Sequence, residues 1–258
     1  MKRFKIPFIL FFVVTSGIAL YACSKKSDVT ANTVSDETAV DIAKVVKSKF
    51  LSQWVTVDTG TDYITIKSDG EPHNHKSPYW GVVDSLYEDF QSGHSANPHL
   101  ISVQNYTMTI PRKPTEASTH EATSLNAIGM ALNGVAIFNN QEAGGTAIDE
   151  GIISSLDPAG AHPAQRGDYH YHVTGKYTTE DDDNLVGFLR DGFPLYGRKD
   201  MDGTYPSDLD EYNGHFGATA DFPSGIYHYH VQNINYLNTG YYILKSGSYY
   251  GTKGTFTF

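Results

Sequence analysis

Tyr169-His170-Tyr171-His172 recurs 58 positions later as Tyr227-His228-Tyr229-His230, and the reading of that repeat decides the fold. The same offset lays Ile128-Gly129-Met130-Ala131-Leu132-Asn133-Gly134 on Val186-Gly187-Phe188-Leu189-Arg190-Asp191-Gly192, and Gly167 on Gly225. Between these anchors, Leu156-Asp157 followed by His162 resembles Leu209-Asp210 followed by His215 at an offset of 53, a five-residue loop difference. The pattern is that of an internal duplication, with repeats at 128–173 and 186–231. It gathers six of the eleven histidines into two matching sets of three.

A Tyr-His-Tyr-His string preceded by Gly reads as a strand, and strand side chains alternate faces. The two histidines of each copy therefore share one face and the tyrosines take the other. Their Cα atoms lie about 6.6 Å apart, so both imidazoles reach one ion at roughly 2.0–2.1 Å. If a pseudo-twofold relates the copies, the two His-x-His pairs face each other, with His162 and His215 nearby on the preceding loops. The expected site is a transition-metal site made by His170, His172, His228 and His230, helped by His162 and His215. Neutral imidazole is a common ligand for Zn, Cu, Fe and Ni. With no cysteine in the domain, and with Met108, Met130 and Met201 its only methionines, a soft thiolate or thioether site is disfavoured and copper(II) or zinc(II) preferred, with Fe and Mn entering if carboxylates join. Asp157 and Asp210, at matching positions, are the expected outer partners of the imidazoles. Tyr169, Tyr227 and Asp191 are the other residues expected to line the site. The competing reading is a packed core strand whose imidazoles bond to backbone carbonyls.

The remaining histidines carry less signal. His73-Asn74-His75 is a source of extra ligands or a polar loop; His94 and His99 flank an unremarkable loop. Asp200-Met201-Asp202-Gly203 through Glu211 has acids spaced like a calcium loop, but its Gly and Pro206 are misplaced for an EF-hand, leaving calcium as a secondary reading. Asp181-Asp182-Asp183-Asn184 reads as a solvated turn. No nucleophile elbow, phosphate loop or dinucleotide fingerprint is present.

The chain begins with Lys2, Arg3 and Lys5 ahead of an apolar run from Ile6 to Leu20, which reads as an export signal over residues 1–22. Leu20-Tyr21-Ala22-Cys23 resembles a lipobox, which would make Cys23, the sole cysteine, the lipidated residue. Residues 23–34 read as a flexible tether. The expectation is a lipid-anchored protein of the bacterial envelope, with Ser24 favouring the outer membrane, and no membrane contact other than the anchor. Removal of residues 1–22 leaves 16 Lys plus Arg against 29 Asp plus Glu, a formal charge of −13. Such a chain repels nucleic acid.

From Ser35 onward a single domain is expected over 35–258. Ser35 with Asp36 and Glu37 starts a helix over about 36–52, followed by a β-rich body. Runs such as Asp62–Lys67, Tyr106–Ile110, Gly129–Phe138, Gly240–Leu244 and Gly254–Phe258 read as strands. The fold class is mainly β, internally duplicated, with one N-terminal helix.

Gly70-Glu71-Pro72-His73-Asn74-His75, Asn133-Gly134-Val135, both Tyr-His-Tyr-His strings, Asp191-Gly192-Phe193-Pro194-Leu195-Tyr196-Gly197 and Leu209-Asp210-Glu211-Tyr212-Asn213-Gly214-His215 together resemble the YHYH-domain family of secreted and envelope proteins. The likeness runs from about Ser68 to Tyr242 and departs from the pattern at Ala159-Gly160-Ala161-His162. It implies a domain type and no particular reaction. Three functions remain open at this level: metal handling or sensing in the envelope; a metal-dependent hydrolase or oxidoreductase; and a metal-free carbohydrate- or protein-interaction module.

Overall fold

In a computed structural model of the chain, residues 39–178 and 182–258 are described. The export signal, Cys23, the tether and the helix start at Ser35 lie outside them. Ala39–Phe258 forms one compact unit.

The helix over 36–52 is shorter than its apolar stripe indicates. Helix α1 spans Ala43–Lys49. It starts where the Asp41 carboxylate accepts from the Ala43 N–H, and it buries Ala43 and Val46. Two strands follow as a hairpin, β1 (Val55–Thr59) and β2 (Tyr63–Ser68). Strand β3 (Tyr106–Pro111) pairs with β2 so that Ile64 faces Ile110 and Ile66 faces Met108. Their alternation of buried and half-buried residues is that of a sheet packed on one face.

The segment Gly129–Phe138, expected as one strand, is two: β4 (Gly129–Ala131) and β5 (Ala136–Ile137). Asn133-Gly134 turns the chain between them, with the Gly134 N–H donating to Ala131 O at φ +90°. A small hairpin follows, β6 (Gln141–Glu142) and β7 (Thr146–Ala147). Helix α2 (Glu150–Ser155), capped by the Asp149 carboxylate, then leads to β8 (Ala161–Pro163) and β9 (Tyr169–Tyr171). The second half begins with β10 (Leu185–Leu189) and β11 (Pro194–Tyr196), turned by Asp191-Gly192 as the first pair is by Asn133-Gly134. It continues with β12 (Gly214–Gly217) and β13 (Ile226–His230), and β14 (Thr255–Thr257) closes the chain. The expected strand at Gly240–Leu244 is absent; Ile243 makes only a single bridge to Val173.

Strands β1, β2, β3 and β14 form a four-stranded sheet. The eight-stranded sheet runs β12-β13-β11-β10-β4-β5-β9-β8. Read outward from its centre, it has the same order on both sides. β4 pairs antiparallel with β5, β5 parallel with β9, and β9 antiparallel with β8; β10, β11, β13 and β12 repeat those pairings. At the centre, β10 meets β4 through Gly187 opposite Ala131 and Leu189 opposite Gly129. A Cβ on Gly187 would lie 2.2 Å from Met130 O, and one on Gly129 2.7 Å from Phe188 O. The glycines at this repeated position thus permit the close approach.

The tyrosine face of the large sheet joins the main core. Tyr169, Tyr171, Tyr227 and Tyr229 pack in one cluster with Phe188, Ile64, Ile66, Met108 and α1. Phe50 of the segment after α1 stacks on Phe188 at 6.0 Å between centroids.

Candidate metal centres

Register sets the geometry of the histidines. In the antiparallel pair β8–β9, His162 lies directly opposite His170, and in β12–β13, His215 lies opposite His228. Directly opposed residues have Cβ atoms about 4.5–5.5 Å apart, and His172 and His230 lie two residues further along the same face. Each triad is therefore built from one His-x-His strand and its edge-strand neighbour.

The two triads do not meet. β9 and β13 are separated by β5, β4, β10 and β11, five inter-strand steps, or about 24 Å at roughly 4.8 Å each. The expected single centre with facing His-x-His pairs is corrected to two centres, one toward each edge of the sheet. The cause is the central β4–β10 pairing, which makes the two halves diverge outward.

A carboxylate joins each triad. Glu142 from the β6–β7 hairpin, His162, His170 and His172 bring one possible ligand atom each within 4.8 Å of one another, and so do Asp200, His215, His228 and His230. In the first cluster Nε2 of His170 and His172 are 2.9 Å apart, and Glu142 Oε1 is 3.0 Å from His172 Nε2 and 3.2 Å from His162 Nε2. In the second, His215 Nε2 is 3.1 Å from His228 Nε2 and 3.2 Å from His230 Nε2. Asp200 Oδ1 lies 3.2, 3.4 and 3.8 Å from His215, His230 and His228.

Tautomers follow from the other ring nitrogens. A carbonyl oxygen only accepts, so His170 donates its Nδ1–H to Asp168 O, His172 to Asn139 O, His228 to Ile226 O and His230 to Gly197 O. His215 donates Nδ1–H to the Asp208 carboxylate at 2.9 Å. Ser155 gives its own proton to Ile152 O and therefore accepts from His162 Nδ1–H at 2.8 Å. In the neutral rings all six Nε2 atoms are then bare lone pairs, converging in two threes on an oxygen that is also only an acceptor.

Without a cation that arrangement is repulsive. Burial, reinforced by the neighbouring imidazoles, pushes His170 well below the usual imidazole range, and burial lowers His162 too. His228 is lowered to about 4, chiefly by burial, and His230 is also lowered. Protonation of these four rings is thus a poor way to relieve the clash. Glu142 Oε1 is buried with no hydrogen-bond partner. An ion with ligands at roughly 2.0–2.1 Å implies edges of about 3.3–3.4 Å for a tetrahedron and about 2.8–3.0 Å for octahedral neighbours. The spacings given above lie in that range, save for one longer Asp200 edge, the other edges are at most 4.8 Å, and both clusters can hold a metal ion.

The expected outer residues have a different task. Asp157 does not touch His162; its carboxylate accepts from Ser77 Oγ at 2.5 Å, Tyr169 OH at 2.6 Å and the Ala159 and Ala161 N–H groups. Asp210 likewise accepts from Tyr227 OH, at 3.0 Å, and from the Tyr212 and Gly214 N–H groups. Asp191 accepts from Tyr229 OH and Gly251 N–H, and its counterpart Asn133 donates to Tyr171 OH. The matched carboxylates anchor the tyrosines on the face away from the histidines, so Tyr169, Tyr227, Asp157, Asp210 and Asp191 do not line the centres. Burial raises Asp157 to about 6 against its four hydrogen bonds.

His75 bonds to Tyr169 OH at 3.2 Å and stacks on Tyr177, while His73 pairs with Asp69 at 2.8 Å. Neither joins a triad. Asp182, expected in a solvated turn, is held by both Nε and Nη2 of Arg198. Asp200, read in sequence as part of a calcium-like run, belongs to the second triad. Asp208, in the same run, instead orients His215, and Glu142 escaped the sequence reading. A lone carboxylate on an irregular loop has no periodicity, and only its 58-residue offset from Glu142 marks Asp200.

No curated protein and no solved structure matches the chain. Residues 107–206 match the family model described as YHYH protein. The match takes in the first Tyr-His-Tyr-His strand and all of the first cluster; of the second cluster it reaches Asp200 alone, so by this match the chain carries a YHYH-family domain over residues 107–206.

Proposed function

We propose that this protein binds two transition-metal ions, one through Glu142, His162, His170 and His172 and one through Asp200, His215, His228 and His230, as a lipid-anchored metal-handling or metal-sensing protein of the bacterial envelope. The observation that carries the reading is the orientation of six Nε2 lone pairs in two threes, each imidazole fixed by an acceptor at Nδ1. Such outer hydrogen bonds are the usual support of ligating histidines. Three imidazoles with one carboxylate suit zinc(II) or copper(II), with iron(II) and manganese(II) as competitors. A set of four protein ligands favours holding an ion over activating water, which needs an open position. The anchoring rests on the Leu20–Cys23 string and the charge pattern before it.

Titration of metal-stripped protein with zinc(II) and copper(II), followed calorimetrically, tests the binding. Two ions per chain are expected. Protein that takes up neither ion refutes the reading and leaves the histidine face as structural packing.

A further inference from the structure

The clusters share ligand chemistry but not surroundings. In the first, the His162 and His172 side chains are 5% and 0% exposed. Phe138 lies flat on His170, 3.9 Å between centroids and 21° from parallel, with its edge to His172. The three Nδ1 atoms are held by backbone carbonyls and by Ser155, itself buried at the end of α2.

The carboxylates Glu142 and Asp200 are alike at 23% and 24% exposed, but the second cluster is more open at its edge-strand histidine. The His215 side chain is 11% exposed and Asp208, which orients it, 71%. Asp200 comes from the irregular segment between β11 and β12. A small cavity lined by Tyr196, Lys199, Thr219 and Ala220 reaches Asp200, His228 and His230. It shares Asp183, Tyr196 and Ala220 with a wide open cavity of about 560 Å³ whose rim includes Asp221. Asp183 and Asp200 line this approach together with Lys199, and Asp221 at its rim is paired with Lys49.

The geometry points to a division of labour: the Glu142/His162/His170/His172 cluster retains its ion, whereas the Asp200/His215/His228/His230 cluster exchanges its ion with solution through the Asp183–Tyr196 cavity. This rests on the two-ion reading above. Ion release requires ligands to leave one at a time while water or a chelator enters. Beside the second cluster lies that small cavity, and Asp200 comes from the irregular segment between β11 and β12, whereas Glu142 comes from the paired β6–β7 hairpin. In the first cluster the aromatic lid and buried Nδ1 partners oppose the same step.

The test is stopped-flow release of zinc from the full chain loaded with two equivalents, challenged with excess chelator and read by the chelator's absorbance. Two phases of one equivalent each are expected, differing at least tenfold in rate. Asp200→Asn and Asp208→Asn should accelerate the fast phase alone, and Glu142→Gln the slow phase alone. These carboxylate changes leave the buried histidines in place, and far-ultraviolet circular dichroism verifies the fold of each variant. Two equivalents released in a single phase, or a fast phase moved by Glu142→Gln and not by Asp200→Asn, would overturn the division while leaving metal binding intact. Protein that cannot be loaded would overturn both.

Discussion

Replacing Asp157 by Ala should damage the protein far more than replacing Asp210, although the two aspartates occupy matching places and bond to matching tyrosines. Asp157 is fully buried and accepts from two hydroxyls and two backbone N–H groups. Its removal orphans four buried donors at roughly 1–3 kcal/mol each, offset in part because Tyr169 OH retains His75 and water enters the space. A net loss of about 4 kcal/mol is expected. For a unit of this size that lowers Tm by about 8–16 °C, at 2–4 °C per kcal/mol. Asp210 is exposed and bonds to Tyr227 OH, Tyr212 N and Gly214 N. Water replaces it there, so Asp210→Ala should cost on the order of 1 kcal/mol. The assay is thermal and urea unfolding of both variants at pH 7.5, with bound zinc counted. Because the Ala161 N–H held by Asp157 precedes His162 in β8, Asp157→Ala should also weaken the first metal cluster and spare the second. Equal destabilisation by the two variants, or loss of the second cluster's ion in Asp157→Ala, would refute the role assigned to the buried carboxylate.

Ser155→Ala removes the acceptor for His162 Nδ1–H and should weaken zinc at the first cluster about 10- to 100-fold, as loss of an outer hydrogen bond to a ligating histidine does; competition against a chelator of known affinity measures it. Burial, with Lys176 nearby, lowers His75 to about 3 from an ordinary 6.5. A depressed imidazole contributes stability that is present above pH 6.5 and is lost as pH falls toward 3, at about 1.4 kcal/mol per pH unit. His75→Gln should therefore reduce the acid-side slope of unfolding free energy of the metal-free protein by that amount between pH 6 and 4.5, the other buried histidines supplying the rest. Gly187→Ala should destabilise by at least about 2 kcal/mol through overpacking, since its Cβ would meet Met130 O at the centre of the sheet; urea unfolding checks this.

Much of the architecture is legible in the repeated strings. Period-two alternation puts His170 and His172 on one face and their tyrosines on the other; His162 and His215, expected on the loops before those strands, sit instead on the edge strands β8 and β12 directly opposite His170 and His228. The Asn133-Gly134 and Asp191-Gly192 pairs mark hairpin turns, though treating Gly129–Phe138 as one strand overlooked the first. What the repeat does not reveal is how the halves meet. Whether two His-x-His strands face each other or stand apart depends on which strands pair at the centre, and that pairing is made by Gly129 and Gly187, whose role is the absence of a side chain. The carboxylate ligands were hidden for another reason. Glu142 and Asp200 act at a distance in sequence from the histidines, on segments whose conformation is set by tertiary packing rather than by local pattern. Asp157 and Asp210 were conspicuous for the opposite cause: their regular spacing from histidine reflects the geometry of the adjoining tyrosine, not of the metal ligand.

Elemental analysis of the chain purified without an affinity His-tag, beside the His170→Ala and His228→Ala variants, bears most directly on the central claim. The account predicts about two equivalents of transition metal in the parent protein and about one in each variant. A parent protein free of metal, and unable to take up zinc(II) or copper(II) when these are supplied, would contradict it.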